Sequence, residues 1–233
     1  LSSRRGYEVE HDGALPGGLS PDDASNWIMT SFYTLRPLDG ADGVDDLCKR
    51  LLGAWQPLGV LGRVYVALEG VNAQVSVPDN MMQLFTQTVA NVPELQGVYL
   101  NKDELLPKYS APFVKLQVKP RKQILADGFT TDTPSYDWAV NGKKLSPEEW
   151  HAKLLLVEAK DVAAPLLLDV RNFYESEVGL FAGAKPLHTA TFRDTWAALK
   201  HHLAQEDSSR EILTYCTGGI RCEKANAYII QEL

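Results

Sequence analysis

Apolar and polar residues alternate along the first half of the chain in short segments whose period changes from one segment to the next. A period of two residues predicts a strand, and a period near 3.6 residues predicts an amphipathic helix. The segments follow the order strand, helix, strand, strand, helix, strand, which is the split βαβ or ferredoxin-like pattern. The predicted strands are 26–35, 62–68, 72–77 and 113–119, and the predicted helices are 42–55 and 78–92.

The second half of the chain follows a different pattern, in which buried strands alternate with helices. Ser146, followed by Pro147 and by Glu149 three residues after the serine, predicts a helix start with a capping box. Residues 166–170 form a continuous apolar run, as is typical of a strand buried on both faces. With a helix predicted at 194–203, this half of the chain is expected to form a doubly wound parallel sheet.

These patterns predict an α/β protein with four segments. Residues 1–25 contain several glycines and prolines with little periodicity, and we expect an extended arm. Residues 26–120 are predicted to form a ferredoxin-like or acylphosphatase-like domain. Residues 121–144 contain a cluster of threonine, proline and serine that indicates a linker, and residues 145–233 are predicted to form the doubly wound domain.

Composition narrows the classes of protein that this chain can belong to. Its 233 residues are enough for one large or two small domains, and a hydrophobic content of 45% is ordinary for a globular protein. No apolar run approaches the ~18 residues that a membrane-spanning helix requires, so no membrane partner is expected. Three cysteines do not make a disulfide framework and favour a reducing compartment. Because the net charge is −7, any RNA site must be a local basic patch.

The most informative segment begins at Cys216. A predicted strand, 212–215, precedes this cysteine, and a predicted helix, 223–233, follows it. The two glycines after the cysteine allow a tight curl in which successive N–H groups point at one centre, and the helix N-terminus adds positive potential. Helix N-termini with basic neighbours lower a cysteine pKa from about 8.5 to roughly 3.5–7.5. Cys216 is therefore the candidate nucleophile, in an anion cradle formed by Thr217, Gly218, Gly219, Ile220 and Arg221; the alternative is a structural cysteine in a tight turn.

Three further residues have two interpretations each. Asp169 and Arg171 follow a predicted parallel strand, where ligands bind in doubly wound sheets, but they could equally form an ion pair that fixes the loop. Cys222 could resolve an oxidised Cys216, although helical geometry favours a packed cysteine that points away from it. Cys48, on the apolar side of the first helix, is predicted to be a core residue. Because no Cys/His spacing resembles a zinc site, we expect no metal.

The basic residues cluster around the last strand predicted in the first half. Alternation places Lys115 and Lys119 on one side of that strand, and Arg121 and Lys122 follow it. Such an arrangement suits contacts to RNA phosphates. A solvated face of the strand is the alternative, because most basic runs are no more than that.

The spacing of the cysteine loop resembles that of rhodanese (sulfurtransferase) domains, in which four residues separate the cysteine from the arginine. Cysteine phosphatases have five, which gives a ring wide enough for phosphate, whereas the tighter loop fits a small group on sulfur such as a persulfide. Longer segments resemble the bacterial TrhO (formerly YceA) family, the oxygen-dependent tRNA uridine 5-hydroxylases that carry a rhodanese domain. These segments are 62–78, 124–128, 169–179, 191–193 and 215–225. Two other segments resemble rhodanese domains in general: 166–175 resembles their first strand, and 181–184 resembles the approach to their second strand.

This resemblance implies an enzyme that hydroxylates the wobble uridine of certain tRNAs at C5, with tRNA as partner and an essential cysteine at position 216. It implies molecular oxygen as co-substrate and no firmly established cofactor. It also identifies 145–233 as a rhodanese domain. Because a rhodanese fold has another strand and helix after the loop helix, we expect this domain to be truncated at its C-terminus.

Two other functions remain open from the sequence. A thiosulfate-type sulfurtransferase would pass sulfur through a Cys216 persulfide. A non-catalytic rhodanese-like module could instead serve a larger ribonucleoprotein, such as a ribosome assembly complex, whose partners would complete the fold. The expected location is the cytoplasm of a bacterium, or the mitochondrial matrix if a transit peptide was removed.

Overall fold

The computed structural model describes residues 20–129, 136–204 and 206–233. The chain divides into two compact units between Ile124 and Leu125. The arm predicted at 1–25 lies outside the described residues up to residue 19. Within the described ranges, no helix is both long enough and apolar enough to cross a membrane.

The first unit is a five-stranded sheet with two helices packed against one of its faces. The strands follow the order β4-β1-β3-β2-β5, in which neighbours among the first four are antiparallel and β5 runs parallel to β2. This is the ferredoxin-like order 4-1-3-2 with one strand added at an edge. The elements are β1 (Asn26–Thr34), α1 (Gly40–Trp55), β2 (Leu61–Ala67), β3 (Gly70–Pro78), α2 (Met82–Asn91), β4 (Asn101–Pro107) and β5 (Leu116–Pro120).

The identity of the fourth ferredoxin-like strand differs from the prediction. The sequence pattern assigned that position to 113–119, but the strand beside β1 is β4, and 116–120 forms the added edge strand β5. The β4 strand escaped prediction because it begins with the exposed polar residues Asn101, Lys102 and Asp103. An edge strand is held by backbone pairing with its single neighbour and needs no alternating apolar pattern.

The core of the first unit lies between the sheet and its two helices. Trp55 of α1 meets Phe32 of β1 edge-on at 6.0 Å between ring centroids and lies 5.2 Å from Phe85 of α2. Its indole N–H donates a hydrogen bond to the Thr88 hydroxyl, so burial leaves no unpaired donor on that ring. Cys48 is fully buried in this cluster, as predicted. The opposite face of the sheet carries no α-helix from the described residues of the first unit and is the open face of the sheet.

The second unit contains a parallel sheet in the order β7-β6-β8, so the predicted α/β class is confirmed. Asp169 at the end of β6 lies opposite Tyr215 at the end of β8, which places the loops after both strands at one edge of the sheet. The elements are α3 (Pro147–Glu158), β6 (Leu166–Asp169), α4 (Phe173–Val178), β7 (Lys185–Pro186), α5 (Thr195–Leu203), β8 (Ile212–Tyr215) and α6 (Ile220–Glu232).

The helix starts in the second unit follow from local sequence. Ser146 caps α3 in a capping box with Glu149, and Pro147 occupies the first helical turn, as predicted. The helix α6 begins at Ile220, three residues before the predicted start. The difference arises because Gly219, which precedes this helix, completes the turn with a φ of +92°.

The segment predicted as a linker, 121–144, contributes residues to both units. The N–H of Arg121 donates to the carbonyl oxygen of Val66, which continues the β5 pairing in the first unit. In the second unit, Asp127 forms an ion pair with Lys224, and both side chains are fully buried. Part of the predicted linker, 130–135, lies outside the described residues.

Candidate active site

The loop that carries Cys216 joins the end of β8 to the start of α6. Gly219 adopts a φ of +92°, a left-handed conformation that residues with a Cβ atom rarely adopt. This conformation turns the Gly219 N–H back towards the cysteine, where it donates to Sγ of Cys216 over 3.0 Å. The predicted curl of the loop around the cysteine is therefore present.

Cys216 is surrounded by groups that favour its thiolate form, and its pKa is lowered to about 5. The hydrogen bond from the Cys222 thiol is the largest cause. Burial opposes it, while the Cys222 backbone N–H, the charge of Arg221 and the Gly219 N–H add to it. Cys216 is consequently a thiolate at neutral pH. As a whole residue, Cys216 is only half-buried.

Cys222 lies in contact with Cys216, contrary to the expectation that helical geometry would turn it away. Because α6 begins three residues earlier than predicted, Cys222 belongs to its first turn, where N–H groups point back into the loop. Its pKa is raised well above the usual thiol value, first by the hydrogen bond to Cys216 and then by burial. The pair thus holds a single proton near neutral pH, and that proton resides on Cys222.

Arg221 is the cation of the loop, and its guanidinium is fixed by Glu175 of α4. The two side chains form a bidentate pair with N–O distances of 2.6 and 2.8 Å. The pKa of Glu175 falls to about 2 because of this hydrogen-bonded pair. Thr217 also donates to Glu175 over 2.6 Å, so one carboxylate ties two residues of the loop to α4.

Glu175 did not figure among the site residues predicted from the sequence. It occurs within the segment 169–179 that carries the family resemblance, but no local pattern relates it to Arg221, which is 46 residues away. A glutamate three residues after the helix-capping Asn172 is an ordinary capping-box residue. Because a capping box explains this glutamate locally, the sequence gives no sign that it also pairs with Arg221.

Asp169 and Arg171 adopt the ion-pair arrangement, the second of their two interpretations. The Arg171 guanidinium contacts both oxygens of Asp169, at 2.9 Å to Oδ1 and 2.6 Å to Oδ2, and also donates to the Gly179 carbonyl over 2.6 Å. Asp169 is fully buried; burial raises its pKa, but the hydrogen bonds from Arg171, Tyr215 and Ser176 outweigh that and lower it. The pair therefore joins the ends of β6 and β8 to the loop after α4.

The four basic residues predicted to contact RNA all lie in the first unit. Lys115 is exposed just before β5, Lys119 is exposed within it, and Lys122 is exposed after it. The Arg121 guanidinium carbon lies 4.8 Å from the centre of the Tyr65 ring. In the described part of the chain, no group of three or more His, Cys, Asp or Glu side chains lies close enough together to hold a metal ion.

We expect the alkylation rate of Cys216 to follow the titration of its thiolate. Because the pKa of Cys216 is lowered to about 5, the rate should be near its plateau at pH 7 and fall to half at about pH 5 as the sulfur is protonated. Iodoacetamide labelling across pH, followed by mass spectrometry of the Cys216 peptide, measures this. Cys48 provides an internal control, since burial raises its pKa to about 12. Half-maximal labelling of Cys216 at pH 8 or above would contradict the prediction.

Replacing Cys222 with alanine should raise the apparent pKa of Cys216, because it removes the thiol that donates the most stabilising hydrogen bond to the thiolate. We expect a rise of about one unit, the equivalent of a hydrogen bond worth about 1.4 kcal/mol. The same labelling experiment measures the shift. Cys48→Ala is the matched control and should leave the Cys216 profile in place. An unchanged profile in Cys222→Ala would show that the Cys222 thiol is not needed to lower the pKa of Cys216.

Comparison with known proteins connects this site to one family. Residues 27–124 match the family model of the UPF0176 acylphosphatase like domain. The tRNA uridine(34) hydroxylase of Leptospira interrogans is 37% identical over 202 residues, which cover 85% of this chain and 50% of that protein. The proteins of the same name from Hamiltonella defensa (37%, covering 87% and 53%) and Salmonella arizonae (40%, covering 74% and 46%) are also similar. The chain spans about half the length of these curated relatives.

The fold and the site define an α/β protein in which an acylphosphatase-like unit precedes a unit with a thiolate in a Cys-x-x-x-x-Arg loop. These matches confirm the resemblance to the TrhO/YceA family that was found in the sequence.

Proposed function

We propose that this protein hydroxylates the wobble uridine of tRNA at C5 in an oxygen-dependent reaction that uses Cys216. The observation that carries the proposal is the ionised Cys216 in its hydrogen-bonded loop, within a chain 37–40% identical to relatives named tRNA uridine(34) hydroxylase. An ionised sulfur at neutral pH is the property that nucleophilic catalysis by cysteine requires. The bacterial origin of these relatives favours a cytoplasmic location.

In this proposal each part of the loop has one role. Cys216 is the nucleophile. Gly219 and Cys222 donate hydrogen bonds to its sulfur, and Arg221 supplies a positive charge that Glu175 holds in place. Asp169 and Arg171 position the neighbouring loop. The residues of the anion cradle as a whole are Thr217, Gly218, Gly219, Ile220 and Arg221.

The thiolate can activate the base by adding to C6 of uracil. The electron pair of the C5–C6 double bond then moves towards C5, which attacks molecular oxygen and becomes a hydroperoxide after protonation. A two-electron reductant of the thiol class cleaves the O–O bond and releases one oxygen atom as water. Loss of the C5 proton and departure of the sulfur from C6 restore the double bond. An oxidised Cys216 that delivers its oxygen to C5 is the alternative route.

The test is made in bacterial cells that lack their own tRNA uridine(34) hydroxylase. Cells supplied with this protein should contain 5-hydroxyuridine derivatives at the wobble position, measured by mass spectrometry of purified tRNA nucleosides. Growth without oxygen should remove the modification, which serves as the control for the co-substrate. Absence of the modification in aerobic cells that contain the folded protein would contradict the proposal.

A sulfurtransferase is the second candidate, favoured by N–H groups that converge on a single sulfur atom. Gly219 and Cys222 donate to Sγ of Cys216 and could equally stabilise a terminal persulfide sulfur. Incubation with thiosulfate and then cyanide separates the two functions. Thiocyanate formed at a rate that depends on Cys216, together with unmodified tRNA in the cells, would favour the sulfurtransferase.

A further inference from the structure

The open face of the first unit carries polar, aromatic and basic side chains. In β2, Val64 and Val66 are fully buried against the helices. Because successive side chains of a strand point to opposite faces, Arg63 and Tyr65 lie on the open face. Val118 of β5 is likewise buried, so Lys119 points the other way.

Strand register aligns these side chains in two adjacent rows. Tyr65 lies opposite Asn72 of β3 on one side and opposite Lys119 of β5 on the other. Side chains that lie opposite each other on neighbouring strands share a face and are within contact distance. The second row contains Gln74, Arg63 and Gln117. Of the two rows, Arg63, Gln74 and Lys119 are exposed, and Tyr65 is half-buried.

Arg121 extends the first row with a planar cation. Its backbone N–H donates to the Val66 carbonyl over 2.7 Å, which fixes its position beyond the end of β5. Its guanidinium carbon lies 4.8 Å from the centre of the Tyr65 ring. A tyrosine ring and an arginine plane together offer two flat surfaces on which a nucleobase can stack.

The charged side chains in these two rows are all positive. Arg63, Lys119 and Arg121 belong to the two rows, and Lys115 and Lys122 flank them. Among the described residues, the open-face positions of β1, β2, β3 and β5 carry no carboxylate. This local excess of positive charge contrasts with the net charge of −7 on the whole chain, and it is complementary to a phosphate backbone.

At the β3 end of the first row, the side chain of Asn72 is already bonded to the segment that follows β5. The Asn72 side chain donates to the Ile124 carbonyl over 3.1 Å, and the Ile124 N–H donates to Glu69 over 2.8 Å. The exposed charged side chains of the two rows, Arg63 and Lys119, lie on the β2–β5 half of the open face.

We infer that the β2–β5 half of the open face binds single-stranded RNA of the tRNA substrate. Lys119, Arg63 and the flanking lysines contact phosphates, and an unpaired base stacks on the platform formed by Tyr65 and Arg121. The inference rests on the proposed function for the identity of the RNA. It adds a substrate-binding surface that lies in the first unit, whereas Cys216 belongs to the second.

The experiment measures binding of a fluorescently labelled RNA hairpin, an anticodon arm with uridine at the wobble position, by fluorescence anisotropy over a series of salt concentrations. Lys119→Gln and Arg63→Gln should each weaken binding and reduce the slope of log Kd against log salt by about 0.7, as for one lost phosphate contact to a single strand. Tyr65→Leu should weaken binding about five-fold or more with the slope unchanged. Lys49→Gln, an exposed position on α1, is the control and should bind like the wild type.

Further measurements distinguish the possible outcomes. Unlabelled duplex RNA of the same length should compete poorly; equal competition, or wild-type affinity in all three variants, would overturn the inference. Thermal unfolding checks the fold of each variant, and exposed Lys119 keeps the test valid if Tyr65→Leu unfolds. Cys216→Ser should bind normally. Binding that follows these expectations without tRNA hydroxylation would refute the proposed function alone, and hydroxylation with unaffected variants would refute the surface alone.

Discussion

We expect the replacement of Cys216 with alanine to abolish the proposed wobble-uridine hydroxylation and to leave the thermal unfolding temperature of the protein close to that of the wild type. The activity is lost because the alanine side chain has no sulfur to ionise. The fold is retained because Cys216 is half-buried in a loop, and the Arg221–Glu175 pair that fixes this loop does not involve the cysteine side chain. The measurement is the 5-hydroxyuridine content of tRNA in complemented cells, alongside thermal unfolding of the purified variant.

Two variants make this prediction specific to the thiolate. Cys216→Ser keeps the size and hydrogen-bonding capacity of the side chain, but its hydroxyl does not ionise near neutral pH, so it should be as inactive as the alanine variant. Cys48→Ala removes a thiol from the core of the first unit and should retain hydroxylation. Residual activity in Cys216→Ser would show that the side chain acts by hydrogen bonding and not as a nucleophile.

The features that the sequence predicted correctly are those that depend on residues close together in the chain. The turn at Gly219, the thiolate character of Cys216 and the cap of α3 all follow from residues within a few positions of one another. Alternating apolar residues likewise predicted the strands β1, β2 and β3, because these strands bury one face. Local patterns carry this information because side-chain period and turn chemistry are properties of short segments.

The parts that the sequence did not predict depend on contacts between distant residues. The partner of Arg221 is 46 residues away, and Asp127 is 97 residues from Lys224. The strand β4 is specified by its pairing with β1 and not by a pattern of its own. The contact between Cys222 and Cys216 depended on where α6 begins, and helix ends are the least predictable feature of a sequence.

The ion pair between Asp127 and Lys224 supports a second prediction with a large effect, on stability. Both side chains are fully buried, and the Lys224 Nζ lies 2.5 Å from an Asp127 oxygen. The Lys224 Nζ also lies 4.6 Å from the centre of the Trp138 ring, and Asp127 accepts the N–H of Phe129 over 2.9 Å. The pair therefore fixes the segment that precedes α3 against α6, the helix whose first turn supports Cys216.

Lys224→Met should destabilise the protein by about 3–5 kcal/mol, because it removes the ammonium group that pairs with the buried Asp127 carboxylate. Chemical denaturation with urea, followed by circular dichroism, measures the loss. The matched control is Lys200→Met on α5, whose side chain is 55% exposed and whose ion pair with Glu232 spans 3.6 Å. The control should lose much less stability, because solvent screens an exposed pair of this kind.

The double variant Asp127→Asn, Lys224→Met distinguishes a lost ion pair from lost packing. Asparagine keeps an oxygen that can accept the Phe129 N–H, while both buried charges are removed. The double variant should therefore be more stable than Lys224→Met alone. If it is less stable, the lysine contributes through its aliphatic contacts and its position near Trp138, and the buried charge of Asp127 is not the main cost. In either case, the pH dependence of Cys216 alkylation in these variants shows whether the cysteine loop depends on the Asp127–Lys224 ion pair.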